Sequence, residues 1–464
     1  MPPHVTLVNP PSPSGSTGHW SIALLGLGYL AAVLEKNQYE VDVIDCQAIN
    51  ISFEEVKTEL RKRQPDVVGL TSTTLTYKSA LRIIKTVKEL HPNCLTVIGG
   101  SHVTFWDDKA LQECPQLDIV VRKEGENTLL ELMQKLEAGK SFSDVLGITY
   151  RKGEEIVRTP DRPYIEDLDS LPFPAFHLFP LKQFNKYGNI IFPVMTSRGC
   201  IFWCEFCTAV RMFGRKYRMR NPKKVVDEIE YLYKKYGEKQ YTFYDDAFTV
   251  DQARTEEICN EILRRGLKIK WDCETRIDMV SKHLLQKMKE AGCIAVWYGV
   301  EAGSQKVRDA MGKGISTQQT LDAFKWTKEA GLIAVASIIL GFPGETKETA
   351  WESVKLLKKI NPDEIGIYIA TPYPGTPMYD YVTKMGWLKI RDFNKYDTAT
   401  PTFESPTMSM EELREIHDKA HQSFYLRPTY VIRAFSKGGV YGYSTTRTAL
   451  AWLRRSIASK LGFG

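Results

Sequence analysis

Three cysteines share one short stretch, Gly199-Cys200-Ile201-Phe202-Trp203-Cys204-Glu205-Phe206-Cys207. Three thiolates on one loop can grip three irons of a cubane [4Fe-4S] cluster and leave the fourth iron open, and an open iron is a place for chemistry. Four-cysteine ligation closes a cluster for electron transfer, and structural zinc takes four ligands that usually arrive as two pairs, so a close-packed triplet fits neither. The competing reading, three unrelated buried thiols, is disfavoured by Gly199 ahead of the triplet and by the aromatic Phe206 between its last two members.

The other six of the nine cysteines, Cys46, Cys94, Cys114, Cys259, Cys273 and Cys293, are scattered through periodic segments and read as core residues. With no secretory signal they point to a reducing, cytoplasmic compartment. The longest apolar uncharged run, residues 22–34, is too short to span a bilayer. A chain of 464 residues implies two or three domains. Its net charge of +6 is unevenly placed: residues 424–464 carry Arg427, Arg433, Lys437, Arg447, Arg454, Arg455 and Lys460 and no acid, which leaves everything before them at −1.

The elements that must position the cysteines fall into two series. Short β-branched runs at 5–8, 41–45, 67–71, 95–98 and 119–121 alternate with amphipathic helices, which argues an α/β unit, a parallel sheet with helices on both faces, over residues 1–150. Segments 148–150 and 155–158 form a small hairpin around Lys152-Gly153. Residues 151–192 hold a crossover whose prolines break helices and whose Phe173, Phe176, Phe179 and Phe184 argue packing against a core. Six further strand and helix repeats, from the strand expected at 194–197 to that at 364–369, suit a partial barrel over 193–380. Residues 381–464 are left as an extension ending in a basic helical tail.

The second half, on its cysteine spacing and strand-end motifs, resembles the radical S-adenosylmethionine (SAM) superfamily, in which SAM chelates the open iron. The resemblance implies a [4Fe-4S] cluster on Cys200, Cys204 and Cys207, with Phe206 beside the cofactor. Tyr244-Asp245-Asp246 stands where the family commonly has Gly-Gly-Glu, which makes Asp245 or Asp246 the holder of the SAM amino group. Arg276 is implied for the carboxylate, by bidentate recognition. Gly299-Val300-Glu301 is similar to the ribose segment, with Glu301 accepting from sugar hydroxyls, and Gly341 lies in the turn past the adenine. Tyr368 and Tyr373, near the last strand, are catalytic candidates that could donate a hydrogen or shape the pocket.

The first half resembles the cobalamin-binding domain of one large radical SAM subgroup. Ser72, Thr73, Gly99, Gly100 and Glu124 then ring the crevice for the cobalamin tail. The Asp-x-His-x-x-Gly loop that supplies a histidine to cobalt in other classes is missing, and only His19 and His102 remain nearby. Cobalamin without a protein imidazole is implied; an apo, vestigial domain is the competing reading.

The resemblance implies an oxygen-sensitive enzyme that makes a 5′-deoxyadenosyl radical to functionalise an unactivated carbon, with methylation of a lipid or isoprenoid favoured. Ring closure or carbon–carbon bond formation on a membrane lipid or tetrapyrrole is the alternative, and a SAM-binding iron–sulfur electron carrier or sensor the reading from another class. An electron donor such as flavodoxin or ferredoxin is implied as partner, and nucleic acid is not. Leu450, Leu453, Ile457 and Leu461 interleaved with cations suggest peripheral contact with the inner face of a membrane.

Overall fold

The computed structural model of the chain describes residues 2–13, 23–184, 190–428 and 430. His19 and the tail beyond Tyr430, with its apolar stripe and six of its seven cations, lie outside the described residues. Among the described residues no helix is long and apolar enough to cross a membrane.

The first half forms one seven-stranded sheet. Its strands are β1 (Val5–Asn9), β2 (Val41–Asp45), β3 (Val67–Thr71), β4 (Leu95–Gly99), β5 (Ile119–Val121), β6 (Ile148–Lys152) and β7 (Glu155–Arg158), in the order β2-β1-β3-β4-β5-β6-β7. The first five pair parallel, while the hairpin β6–β7 continues the same sheet as an antiparallel edge. β1 is buried at every residue, as a central strand with helices on both faces must be. Chain order reverses at β1, so the crevice opens beyond the carboxyl ends of β1 and β3.

The second half is a six-stranded parallel sheet in the order β15-β14-β13-β12-β11-β8. These strands are β8 (Ile191–Val194), β11 (Gln240–Phe243), β12 (Lys270–Thr275), β13 (Cys293–Glu301), β14 (Ile333–Leu340) and β15 (Glu364–Ile369), with a two-residue ribbon, β9 (Ser197–Arg198) and β10 (Arg218–Met219), inserted after β8. Its end strands β8 and β15 do not pair, so the barrel stays open. Alternation sorts the side chains: Ile365, Ile367 and Ile369 of β15 pack outward while Glu364, Gly366 and Tyr368 face the other way. The strand expected at 194–197 ends at Val194, and Ser197 instead pairs with Met219 in the ribbon that precedes the cysteine loop.

The crossover is packed. Phe176 stacks edge-on against Phe192 of β8, 5.1 Å between rings, and Ala175 N donates to Gly28 O on the helix Leu25–Lys36. A Cβ on Gly28 would lie 2.9 Å from Pro174 Cβ, so the close approach requires glycine. One continuous apolar core thereby runs through both sheets.

Two features of the last hundred residues were not read from the sequence. A helix, Met410–Tyr425, opens with a capping box of Ser409 and Glu412 and docks on β15, where Tyr425 donates its hydroxyl to Ile365 O at 3.0 Å. Before it, the chain returns from the barrel to the first sheet: Phe393 and Tyr396 belong to the core under β1, β3 and β4.

Candidate active site

The cysteine loop is held at both ends by backbone. Gly199, with φ +94°, lets its neighbour approach Lys216 O, which a Cβ would meet at 2.4 Å, and Cys200 N donates to Gly214 O at 3.3 Å. At the far side Glu205 N donates to Met311 O and Glu205 O accepts from Met378 N, both at 3.0 Å. All three thiols are half-buried, and burial raises each; Cys207 is pushed up to about 12, with Cys204 and Cys200 close enough to add to the rise. Among the described residues no three ligating side chains converge on a single-ion site.

Around the loop the structure separates the two aspartates. Asp245 is buried and fully committed: it accepts from Thr196 N at 2.7 Å, from Ser197 N at 2.9 Å and from the Thr196 hydroxyl, pinning the strand that leads into the loop. Both aspartates line a cavity that Cys207 also lines, and Asp246 takes no part in that pinning. Burial, and then the charge of Asp245, push its carboxyl up to about 6. A cationic amino group there would restore the charged form. Asp246→Asn is therefore expected to weaken SAM binding about tenfold to a hundredfold, the size of a charge-assisted hydrogen bond, in calorimetric titration of the cluster-loaded protein.

Arg276 is already largely engaged. Its Nε and one terminal nitrogen reach Asp278 at 3.0 Å, that nitrogen also donates to Lys313 O, and the guanidinium lies 3.6 Å from the Phe202 ring centroid. The other terminal nitrogen is buried without a partner, which fits one contact to a carboxylate in place of the expected fork. Lys313, which sequence reasoning missed, is buried beside it and donates to Glu301 at 2.7 Å. Its flanking glycines were the available signal: Gly312, with φ +70°, lets the chain pass Trp203 O. Glu301 is thus held in a buried ion pair through one of its oxygens. Phe206 packs in a small core with Phe342, next to Gly341, whose N–H donates to Glu345 at 2.6 Å.

On the cobalamin side the expected ring is only partly assembled. Gly99 and Gly100 line the cavity, together with Thr71. Gly100, at φ +106°, also lets its backbone pass Ser72, whose carbonyl a Cβ would meet at 2.6 Å. Ser72 and Thr73 do not line the cavity; they build the turn after β3, with Thr73 N donating to Thr76 Oγ1. Glu124 lines it but is spent. Its carboxylate accepts from Arg198 at 3.0 Å, Arg218 at 2.9 Å and Ile165 N at 2.8 Å, all buried, while Glu126 takes the other arm of Arg198. Burial works against the Arg198 cation, but Glu126 and Glu124 more than offset it. These ion pairs join the first sheet to the ribbon of the cysteine loop.

His102 is placed away from this cavity. Its Nδ1 meets Thr74 Oγ1 at 3.1 Å, and the ring is packed among Tyr77, Phe393 and Trp106. Burial pushes it down to about 3. No histidine lines the cavity among the described residues. In the cobalamin-loaded protein the Co(II) resonance is expected to show no splitting from a protein imidazole nitrogen, and such splitting would return His19 or His102 to consideration.

The cavity bordered by Cys207, Asp246, Gly99 and Gly100 holds about 570 Å³ between the two sheets. A second, of about 510 Å³, lies along the inward faces of the barrel strands and includes Trp297, Glu364 and Tyr368. Tyr244 and Glu274 line both. Tyr373 lines neither; its hydroxyl donates to Tyr396 O at 3.3 Å in the segment that packs on the first sheet, which removes it from the catalytic candidates. Glu274, unnoticed in the sequence, is raised by burial and then by the charges of Asp272, Asp246 and Glu301.

Residues 194–357 match the Radical SAM superfamily and residues 22–133 the B12 binding domain. The chain is 36% identical over 435 residues to an uncharacterized methyltransferase of Pyrococcus horikoshii, with 92% of this chain and 94% of that protein covered. It is 32% identical over 437 residues to an anaerobic magnesium-protoporphyrin IX monomethyl ester cyclase of Cereibacter sphaeroides, covering 91% of this chain and 70% of that one. Among solved structures, the cobalamin-dependent SAM radical enzyme OxsB with aqua-cobalamin and SAM bound superposes with a TM-score of 0.75 at 19% identity, over 98% of this chain and 71% of that chain, a likeness of fold.

Proposed function

Because the chain belongs to the radical SAM superfamily and carries a B12-binding domain, it is an enzyme of the cobalamin-dependent radical SAM type, and we propose that it methylates an unactivated carbon of a hydrophobic substrate held in the barrel cavity. When bound, the cluster and SAM supply a 5′-deoxyadenosyl radical and cobalamin a methyl group. The chain's own residues have the remaining tasks. Cys200, Cys204 and Cys207 would hold the cluster, Asp246 the amino group of SAM, Arg276 its carboxylate and Glu301 its ribose, while the helix Leu25–Lys36 and the glycines after β4 shape the space for cobalamin.

One observation carries this reading: the barrel cavity and the cofactor cavity share a wall at Tyr244 and Glu274. A substrate lying against Trp297 and Tyr368 would present its carbon at that wall, screened from water by Leu24 and Leu25, which border both spaces. Among the described residues the barrel cavity has no lysine, arginine or histidine in its lining but includes Asp45, Asp272, Glu274 and Glu364. The acids disfavour a substrate with free carboxylates or phosphates, and Leu24, Leu25, Ile191 and Trp297 offer apolar contact to a neutral one such as a lipid or isoprenoid. Tyr368 is the remaining substrate-side candidate.

The test is incubation of the reduced, cobalamin-loaded enzyme with SAM labelled in its methyl carbon and a total lipid extract. Label in a lipid product supports the reading. Deoxyadenosine formed with an unlabelled, cyclised product would replace it with the ring-closing alternative, which the likeness to the cyclase supports.

The basic tail supports peripheral membrane contact, at about 1 kcal/mol per cation near an anionic surface. Deleting residues 447–464 is expected to weaken sedimentation with anionic vesicles and leave substrate-free SAM cleavage intact. Binding unchanged by the deletion and by high salt would reassign the tail as a packed terminal segment.

A further inference from the structure

The cysteine loop has two faces, and only one belongs to the cavities. Cys207, Met212 and Phe213 turn toward the cofactor space. Ile201 and Trp203, on the same loop, are each 43% exposed and line neither cavity. Large apolar side chains in that state are few among the described residues, and Leu24, Tyr244 and Tyr368 from the same group line the cavities. An outward tryptophan and isoleucine beside the ligands of a redox centre therefore call for an explanation.

Their surroundings are cationic. The Arg211 guanidinium lies 5.0 Å and that of Arg215 5.7 Å from the Trp203 ring centroid. Neither arginine has an ion-pair partner within 4 Å among the described residues, whereas the neighbouring Lys216 is paired with Glu166. Glu205 is the loop's own carboxylate and is half-buried. The loop is also fixed, since Gly214 O, Met311 O and Met378 N hold its backbone from three sides. Exposed aromatic, exposed aliphatic and two unpaired guanidiniums on a rigid loop make a small interface of the kind used for brief encounters.

We propose that Ile201, Trp203, Arg211 and Arg215 form the docking surface for an acidic one-electron carrier protein of the flavodoxin type. This rests on the reading of the chain as an enzyme that needs a reductant. Cations attract the acidic rim of such a carrier and speed encounter, the two apolar side chains give the contact its dry centre, and the site places the carrier's flavin beside the cysteine ligands. In each encounter the anionic flavin hydroquinone gives up one electron and becomes the neutral one-electron-oxidised flavin. The electron passes to the enzyme, no bond is made between the proteins, and no proton moves.

The experiment measures deoxyadenosine formation by the cluster-loaded full chain with two reductants, a purified acidic flavodoxin kept reduced by NADPH and its reductase, and dithionite. For R211E/R215E the KM for flavodoxin is expected to rise about tenfold or more, while the dithionite-driven rate stays within about twofold. R211K/R215K should keep most of the flavodoxin-driven rate, and added salt should slow the wild type far more than R211E/R215E.

An equal loss with both reductants would make the arginines mere supports of the loop and overturn the proposal. So would an unchanged flavodoxin-driven rate, whether the variant's lost property proved to be vesicle binding or self-association. Wild-type protein that cleaves SAM with dithionite but never with flavodoxin overturns the docking surface alone. Cleavage with neither reductant overturns the enzymatic reading beneath it.

Discussion

Alanine at any one of Cys200, Cys204 and Cys207 is expected to abolish SAM cleavage in anaerobically reconstituted protein, whereas alanine at each of the other six cysteines leaves it in place. The physical reason is that a three-thiolate cubane has no spare ligand on the protein, so losing one sulfur exposes a second iron and the cluster becomes labile. The other six thiols are all buried, and several, such as Cys273 and Cys293, stand inside barrel strands where they pack as small apolar groups. Iron and sulfide content with the absorbance of the cluster gives one readout, and deoxyadenosine by chromatography the other. A Cys204→Ala protein that keeps a full, SAM-active cluster would refute the assignment.

The second large effect is expected at Glu124. Removing its carboxylate leaves buried Arg218 without a carboxylate and buried Arg198 with Glu126 alone, and orphans the Ile165 amide. Breaking a buried pair from one side costs about 3–5 kcal/mol, because the Arg218 cation is left buried with only the carbonyls of Ile165 and Phe213. Glu124→Ala should therefore lose that much in denaturant unfolding, and Glu124→Gln, which keeps acceptor capacity at one oxygen, less. Replacing Glu126 and Arg198 together by apolar residues of similar size should cost less than either single change, as a buried ion pair repays little beyond its own desolvation. A Glu124→Ala loss under about 1 kcal/mol would show that solvent reaches the pair. Cobalamin retention through gel filtration is the companion readout, since these pairs hold the first sheet on the ribbon that leads into the cysteine loop.

Much of this architecture is legible in sequence because it is written in short-range terms. Parallel strands buried on both faces, such as β1 and β3, appear as short, mostly apolar and β-branched runs, and the cysteine triplet lies within eight residues. What escapes is decided across the chain. Glu124 reads as a free acid after a strand until Arg198 and Arg218, more than seventy residues on, are folded against it. Asp245 and Asp246 are indistinguishable as neighbours, and both line the cavity in the fold, yet only Asp245 is tied to Thr196 and Ser197. Tyr373 follows the last barrel strand, where a substrate-side role is natural, but the chain has already turned toward the first sheet. The helix Met410–Tyr425 did carry a local sign, the Ser409 and Glu412 box, which was overlooked beside the charge of the tail.

That turn back toward the first sheet bears on how such enzymes can be recombined. Phe393 and Tyr396 complete a core whose other members come from the five parallel strands β1–β5 and the helices over them, and Gly375 must be glycine because a Cβ there would lie 2.2 Å from the Phe105 ring. The cobalamin-side half is consequently no transplantable cassette ending near residue 150. A chimera that grafts the first sheet of a relative onto this barrel keeps its packing only if residues 371–405 travel with the graft, and one that omits them sets foreign side chains against Phe393. The two sheets must then be inherited together with the segment that packs back across them.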